Sequence, residues 1–193
     1  MSPTIPVIII GAGPVGLSAS IALSRQGISN IVIEKHPSTS IHPKARGINV
    51  RTMELCRIWG VEEQIRQSEL PASARRFLWM NHLKGEIQAE VSFIAQQEEI
   101  SPTEACLLSQ DIFEQELLAC FKTQKNTKIH FNTRLINVEQ DDQLVYCEIE
   151  NLIENTRTKI QCQYLIAADG ANSFVRKKLG LNMNGLPILG THV

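Results

Sequence analysis

Ile5-Pro6-Val7-Ile8-Ile9-Ile10-Gly11-Ala12-Gly13-Pro14-Val15-Gly16, continued to Ile31-Val32-Ile33-Glu34, is the stretch whose reading decides the fold. Val7 to Ile10 is short, continuous and β-branched, the pattern of a strand buried on both faces in a parallel sheet. Glycines follow at once. Gly11 permits a tight turn, Gly13 lets the backbone approach a pyrophosphate, and Gly16 allows the next helix to pack closely on the strand. Ala12, Pro14 and Val15 complete this turn, and Pro14, lacking an N–H, suits a first helical turn. The pattern predicts a helix from Pro14 to Arg25 that turns Val15, Ala19, Ala22 and Leu23 toward the sheet and stops at Gly27. Ile31 to Ile33 is the second parallel strand. At its end stands Glu34, 23 residues after Gly11, where an acid hydrogen-bonds the ribose of an adenosine.

Three glycines at these spacings arise by chance in roughly one chain in fifteen of this length at ordinary glycine usage. The turn alone is therefore weak evidence; a strand before it, a helix after it and an acid at the right distance make it an expected adenine-dinucleotide site. The plainer alternatives are an ordinary βαβ turn and a Glu34 that is only a solvated strand end, with Lys35 and His36 marking the exit from the sheet.

At 193 residues the chain is long enough for one substantial core, burying about 70% of its unfolded surface. A net charge of −1 offers no basic field for nucleic acid or membrane. The longest apolar run falls far short of the roughly 20 residues that span a bilayer, and Met1-Ser2-Pro3-Thr4 lacks a charged leader start. The five cysteines, Cys56, Cys106, Cys120, Cys147 and Cys162, are odd in number and widely spaced. They read as reduced core thiols of a cytoplasmic protein, with no metal site.

Beyond Glu34, the polar loop from Lys35 to Ile48 leaves the carboxyl end of a strand, the side on which open α/β sheets bind ligands. Within it Arg46, between Ala45 and Gly47, can pair bidentately with a phosphate, or be a solvated surface arginine. Asn49 to Trp59 reads as a helix capped by Asn49, with Met53, Leu55, Cys56 and Ile58 apolar and Gly60 as its stop; a shorter helix runs from Val61 to Gln67. Arg76 to Met80 and Ile87 to Phe93 form an antiparallel hairpin outside the nucleotide-binding sheet, and Glu98 to Cys106 leads back. Ser109 to Lys122 is a second helix, with Ser109 as cap, a stripe of Ile112, Phe113, Glu116, Leu117 and Phe121, and Asp111 and Glu114 favouring its positive end. Ile129 to Phe131 is a further parallel strand. Leu135 to Glu139, Leu144 to Glu150 and Thr158 to Gln163 alternate as an antiparallel meander. Finally, Leu165 to Ala168 reads as a buried strand that delivers Asp169-Gly170 to the carboxyl edge, with a helix from about Asn172 to Gly180. There Asp169 can accept hydrogen bonds from ligand hydroxyls, or simply cap that helix.

Four motifs now stand in order: Gly11-Ala12-Gly13-Pro14-Val15-Gly16; His42-Pro43-Lys44-Ala45-Arg46-Gly47-Ile48-Asn49-Val50-Arg51-Thr52-Met53-Glu54; Ser109-Gln110 before a helix; and Ala168-Asp169-Gly170-Ala171-Asn172-Ser173-Phe174-Val175-Arg176. Together, over nearly the whole chain, they resemble the FAD-binding part of the flavin-dependent aromatic hydroxylases, the group A monooxygenases. The resemblance implies an α/β, Rossmann-like FAD-binding fold: a parallel sheet, an antiparallel meander, and the start of a substrate-domain sheet inserted at about residues 72–106. It also implies that Gly11, Gly13 and Gly16 hold the FAD pyrophosphate, Glu34 the adenosine ribose, Arg46 the pyrophosphate or flavin edge, Gln110 the flavin–ribityl region and Asp169 the ribityl hydroxyls. The backbone around Leu135 lines the adenine pocket.

The chemistry so implied is reduction of FAD by NAD(P)H, reaction with oxygen, and transfer of one oxygen atom to a small phenolic or polycyclic aromatic. One departure stands against this. The family's enzymes run considerably longer, with a further Gly-Asp motif beside the flavin, whereas this sequence ends at Gly185-Leu186-Pro187-Ile188-Leu189-Gly190-Thr191-His192-Val193. The expectation is a C-terminally truncated monooxygenase that holds FAD weakly, associates with itself or with a complementary C-terminal polypeptide, and turns over little. Two other classes stay open: a non-catalytic flavin-binding or dimerisation remnant, and an NAD-dependent dehydrogenase with a single Rossmann site.

Overall fold

A computed structural model describes residues 4–92 and 101–185 of the chain. The expected opening unit forms as β1 (Ile5–Ile10), α1 (Pro14–Arg25) and β2 (Asn30–Ile33), with the two strands parallel and Ile8 opposite Ile31. Val7 and Ile9 enter a core shared with the helices, while Ile8 and Ile10 enter a second core on the opposite face. A continuous apolar run is what a strand covered on both faces requires.

The buried face of α1 is not the expected one. Gly16, Leu17, Ser20, Ile21 and Ser24 are inside, Val15 is 69% exposed and Ala22 is exposed; Ala19 and Leu23 only flank the core. Pro14 starts the helix beyond the strand end, so Val15 projects past the sheet. Gly27, at φ +78°, ends the helix as read.

The chain continues through β3 (Gly47–Ile48), α2 (Val50–Trp59), α3 (Glu62–Gln67) and a 3-10 turn at Ala72–Ala74 into the hairpin β4 (Arg76–Met80) and β5 (Ile87–Ser92). Asn49 caps α2 by accepting the Thr52 N–H at 2.8 Å. Met53, Cys56 and Trp59 are its buried face, whereas Ile58, expected inside, is exposed. The hairpin pairs with no other strand among the described residues and leaves Phe77, Trp79, Ile87 and Val91 about half exposed. The end of its second strand at Phe93 and the return from Glu98 to Ile100 lie outside the described residues.

β6 (Cys106–Leu107) pairs with β3 and leads into α4 (Gln110–Lys122) and β7 (Thr127–His130). Phe113, Leu117, Cys120 and Phe121 are the buried stripe of α4. Ser109 occupies the cap position, but its side chain makes no capping bond. The Gln110 N–H goes instead to the Ala45 carbonyl at 2.8 Å, which satisfies the first donor of the helix from outside.

β8 (Thr133–Gln140), β9 (Val145–Asn151) and β10 (Thr156–Ala167) complete one six-stranded sheet of order β7-β2-β1-β10-β9-β8, followed by α5 (Phe174–Lys178). Two expected segments, Thr158 to Gln163 and Leu165 to Ala168, are therefore one strand. It runs antiparallel to β9 up to Cys162 and parallel to β1 from there on; Gln163-Tyr164 contains no turn-forming residue to break it. Past Cys162, β10 has β1 on one side and, on the other, a cavity of about 550 Å³ lined in part by Gln163, Tyr164, Leu165, Val175 and Leu179. Leu165 to Ala168, expected to be buried, is consequently only partly so. Leu135, Val138 and Cys147 of the antiparallel half, with Val175 of α5, cover Ile8, Ile10 and Ile33, so α1 to α4 pack on one face of the parallel half while the meander and α5 cover the other.

All five cysteines are free and buried. Burial pushes the thiols of Cys56 and Cys106 up to about 12, which keeps them neutral and unreactive.

Candidate functional site

The three glycines of the opening turn are not there for the same reason. Gly11 sits at φ +103°, and a Cβ there would lie 2.4 Å from the Ala168 carbonyl oxygen. A Cβ on Gly16 would lie 1.9 Å from the Gly11 carbonyl oxygen. Both positions are glycine because backbone meets backbone. Gly13 differs: its φ of −72° and ψ of −175° suit any residue, and nothing lies within 4 Å of a Cβ built there. Folding alone asks for no glycine at that point. The first backbone acceptance in α1 is from Leu17 to Gly13 O at 3.0 Å, and no side chain caps the helix. Its leading N–H groups, those of Val15 and Gly16, therefore have no side-chain acceptor and start beside a bare backbone, the arrangement that takes a phosphate.

Glu34, only 8% exposed, is not a solvated strand end. Its Oε2 accepts the Ala12 N–H at 2.7 Å and its Oε1 the His36 N–H at 2.8 Å. One carboxylate thus ties the glycine turn to the start of the next loop, and each oxygen retains a lone pair for a ligand hydroxyl. Leu135 lies close by in the chain path: β8 begins where the Thr133 N–H meets the Glu34 carbonyl at 2.8 Å. The Leu135 side chain is buried in the second core, and the ladder to β9 is irregular between Leu135 and Asn137, leaving only its backbone to line a site.

At the far side of β1, Asp169 takes the capping role that was the plainer alternative. Its Oδ1 accepts the Ser173 hydroxyl at 2.6 Å, and its Oδ2 accepts the N–H groups of Phe174 at 2.7 Å and Val175 at 3.2 Å. Gly170, at φ +79°, makes the bend between strand and helix. The contact of Gly11 with Ala168 brings this motif against the glycine turn.

The remaining candidates share the same edge. α4 precedes β7, which runs parallel to β2, so its first residue, Gln110, lies at the carboxyl ends of the parallel strands. The backbone joins it to Arg46: the Leu108 N–H donates to Arg46 O and the Gln110 N–H to Ala45 O, both at 2.8 Å. Lys35 and Arg46 are exposed, and no hydrogen bond or ion pair among the described residues engages the Arg46 guanidinium.

One buried acid at this edge has more partners than its place in the helix suggests. Glu114, read from the sequence only as a charge favouring the positive end of α4, is 2% exposed; it accepts the Ser40 N–H and the Gln110 Nε2–H, each at 2.7 Å. An acid beside Phe113 and four residues past a polar side chain was the available signal. Among the described residues there is no group of His, Cys, Asp or Glu able to hold a metal ion, and no helix long and apolar enough to cross a membrane.

Residues 4–189 match the family described as FAD binding domain. A putative polyketide hydroxylase of Streptomyces coelicolor is 36% identical over 186 residues, covering 94% of this chain and 30% of that protein. Phenol 2-monooxygenase of a Pseudomonas species is 34% identical over 194 residues, covering 92% and 30%. Among solved structures, the flavin-dependent monooxygenase PieE in complex with FAD and substrate superposes with a TM-score of 0.88 at 27% identity, covering 96% of this chain and 33% of that one. Aklavinone-11 hydroxylase in ternary complex with FAD and aklavinone gives 0.83 at 34% identity, covering 93% and 36%. The chain thus spans about a third of the length of the curated relatives it matches.

Proposed function

The chain belongs to the FAD binding domain family, as the N-terminal, FAD-binding part of the flavin-dependent aromatic hydroxylases, and from that premise we propose that it holds FAD along the carboxyl edge of its sheet and serves NAD(P)H- and O2-dependent hydroxylation of a phenolic or polycyclic aromatic. The observation that carries the reading is Gly13, whose missing side chain opens a backbone surface that the fold itself leaves unused. Beside it, the first-turn N–H groups of α1 hold the pyrophosphate. Glu34 accepts the ribose hydroxyls with the lone pairs left by Ala12 and His36, and Arg46 supplies a planar cation for the phosphates or the flavin edge. Asp169 accepts ribityl hydroxyls while it holds α5, Gln110 meets the flavin–ribityl region, and the backbone at Leu135 borders the adenine. FAD, when bound, takes reducing equivalents from the nicotinamide and delivers oxygen to the ring; the protein groups orient it and exclude water.

The hairpin within the insertion at about residues 72–106, which pairs with no other strand among the described residues, is the start of the substrate-covering sheet. Its half-exposed Phe77, Trp79, Ile87 and Val91 also favour a second reading: a flavin-binding or dimerisation module that joins a second copy or a complementary polypeptide through this face. Five unpaired, buried thiols suit a cytoplasmic setting. Titration of the purified chain with FAD tests the primary reading. Saturable binding with a perturbed flavin spectrum is expected, and a chain that leaves the FAD spectrum unchanged at millimolar concentration refutes it. NADPH oxidation stimulated by added phenols then separates the hydroxylase from the non-catalytic module.

A further inference from the structure

A carboxylate as deeply buried as that of Glu114 is costly unless each oxygen has a donor. Both oxygens do. Oε2 accepts the Ser40 N–H and Oε1 accepts the Gln110 Nε2–H. We propose that Glu114 is a positioning residue for the flavin site, fixing which way round the Gln110 amide sits and tethering to α4 the loop span that precedes Arg46. The proposal rests on the reading that FAD occupies the carboxyl edge and meets Gln110.

The first half follows from donor and acceptor chemistry. A carboxylate only accepts, so it can face the NH2 end of the Gln110 amide and not its oxygen. Turning the amide over would set two acceptor oxygens 2.7 Å apart. With Nε2 held, Gln110 offers a ligand its carbonyl oxygen and one remaining N–H, in a fixed sense. The amide is thereby an acceptor toward ribityl hydroxyls or a flavin N–H rather than a group that flips to suit either partner.

The second half follows from where the loop is tied. Between Pro37 and Lys44, the Ser38 hydroxyl donates to the Thr39 carbonyl, and Ser40, His42 and Lys44 bond among themselves, all within the loop. Among the described residues, the single hydrogen bond that joins this span to the rest of the molecule is Ser40 N–H to Glu114. Arg46 follows six residues later, its guanidinium exposed and without a partner among the described residues, while the backbone at Ala45 and Arg46 is held separately by the Gln110 and Leu108 N–H groups. Releasing Ser40 leaves the span from Pro37 to Lys44 untied up to the Ala45 carbonyl, and raises the conformational entropy that must be lost when FAD settles against this edge.

Glu114→Gln keeps the shape but can accept on one side only. In the FAD-free chain, NMR should show either the Ser40 amide exchanging with solvent at least tenfold faster or the Gln110 side-chain NH2 signals displaced, according to which side the glutamine oxygen takes; both unchanged would overturn the proposal. In FAD titrations, E114Q should weaken binding about tenfold, the usual scale for a hydrogen bond to a charged group. In a Gln110→Ala background the same change should cost less than about threefold, because the partner through which it acts is gone. Equal losses in the two backgrounds, as a general destabilisation of α4 would produce, overturn it. A wild-type chain that takes up no FAD overturns the reading on which the proposal rests, and the proposal with it. A wild-type chain that binds FAD while E114Q binds as tightly overturns the proposal alone. Should E114Q fail to fold, Ser40→Pro deletes the loop N–H without touching α4; it should weaken FAD several-fold, and unchanged affinity would sink the loop half.

Discussion

Glu34 and Asp169 stand at the carboxyl ends of β2 and β10, the strands on either side of β1, yet the two acids do different work. Glu34 is buried and joins segments far apart in the chain, accepting from Ala12 across 22 residues. Asp169 is partly exposed, and its three donors all lie within the next six residues. The β2 end is thus a junction on which the glycine turn depends. The β10 end is a local cap that would form wherever that short helix formed. A ligand carboxylate site can be built either way, and the distinction decides what each acid does when the ligand is absent.

The largest effect that sharpens this contrast is expected from the glycines on each side. Gly16→Ala forces a Cβ to 1.9 Å from the Gly11 carbonyl, so backbone must move; a loss of about 3 kcal/mol, the upper end of overpacking, is expected in urea unfolding. Gly170→Ala meets nothing within 4 Å and suffers only its φ of +79°, for about 1–2 kcal/mol. Equal losses would erase the difference between junction and cap.

Glu34→Ala comes next. It orphans the buried Ala12 N–H and frees that of His36, which should cost about 2 kcal/mol of stability and weaken FAD by about 1–3 kcal/mol. Unaltered FAD affinity in a titration would show that the carboxylate serves the turn alone. Asp169→Ala should cost about 1 kcal/mol, the usual value of a lost helix cap, read as a small fall in melting temperature. If it exceeds the Glu34 loss, the assignment of local and long-range roles is reversed. The smallest change in stability belongs to Gly13→Ala, within about 0.5 kcal/mol of wild type, since a poorer cap is offset by a less flexible unfolded chain. Its FAD affinity should nevertheless fall, and retained affinity would mean that nothing approaches the backbone there.

The opening βαβ unit was legible because its signals are local. An apolar run, a glycine turn and an acid lie within 30 residues, and the close approach at Gly16 is dictated by the turn itself. The face of α1 was misread at Val15 because periodicity does not reveal that the first turn overhangs the strand end. β10 was divided in two because its pairing partners change at Cys162, which alters burial without interrupting the alternation. The two uses of Asp169 could not be separated by sequence, since capping a helix and accepting ligand hydroxyls ask for the same carboxylate. Glu114 was missed for a related reason: an acid near a helix start has an adequate explanation in the helix dipole, and only burial shows that it has another.

The pairing of β1 with β10 also sets a clock for the site. Gln161 reaches back to Thr4 across 157 residues, and the Ala168 carbonyl that packs against Gly11 arrives later still in synthesis. β8, β9 and β10 are joined by short turns and can assemble as soon as they are made, whereas β1 must wait for the second half of β10 before its glycine turn has a wall to lean on. Closing so long a loop carries a large entropic cost and slows folding relative to the hairpins. A nascent chain therefore displays its most diagnostic sequence first and gains the corresponding site last, and refolding should show meander protection in hydrogen exchange before protection of the Ala168 amide, which donates to the Ile10 carbonyl.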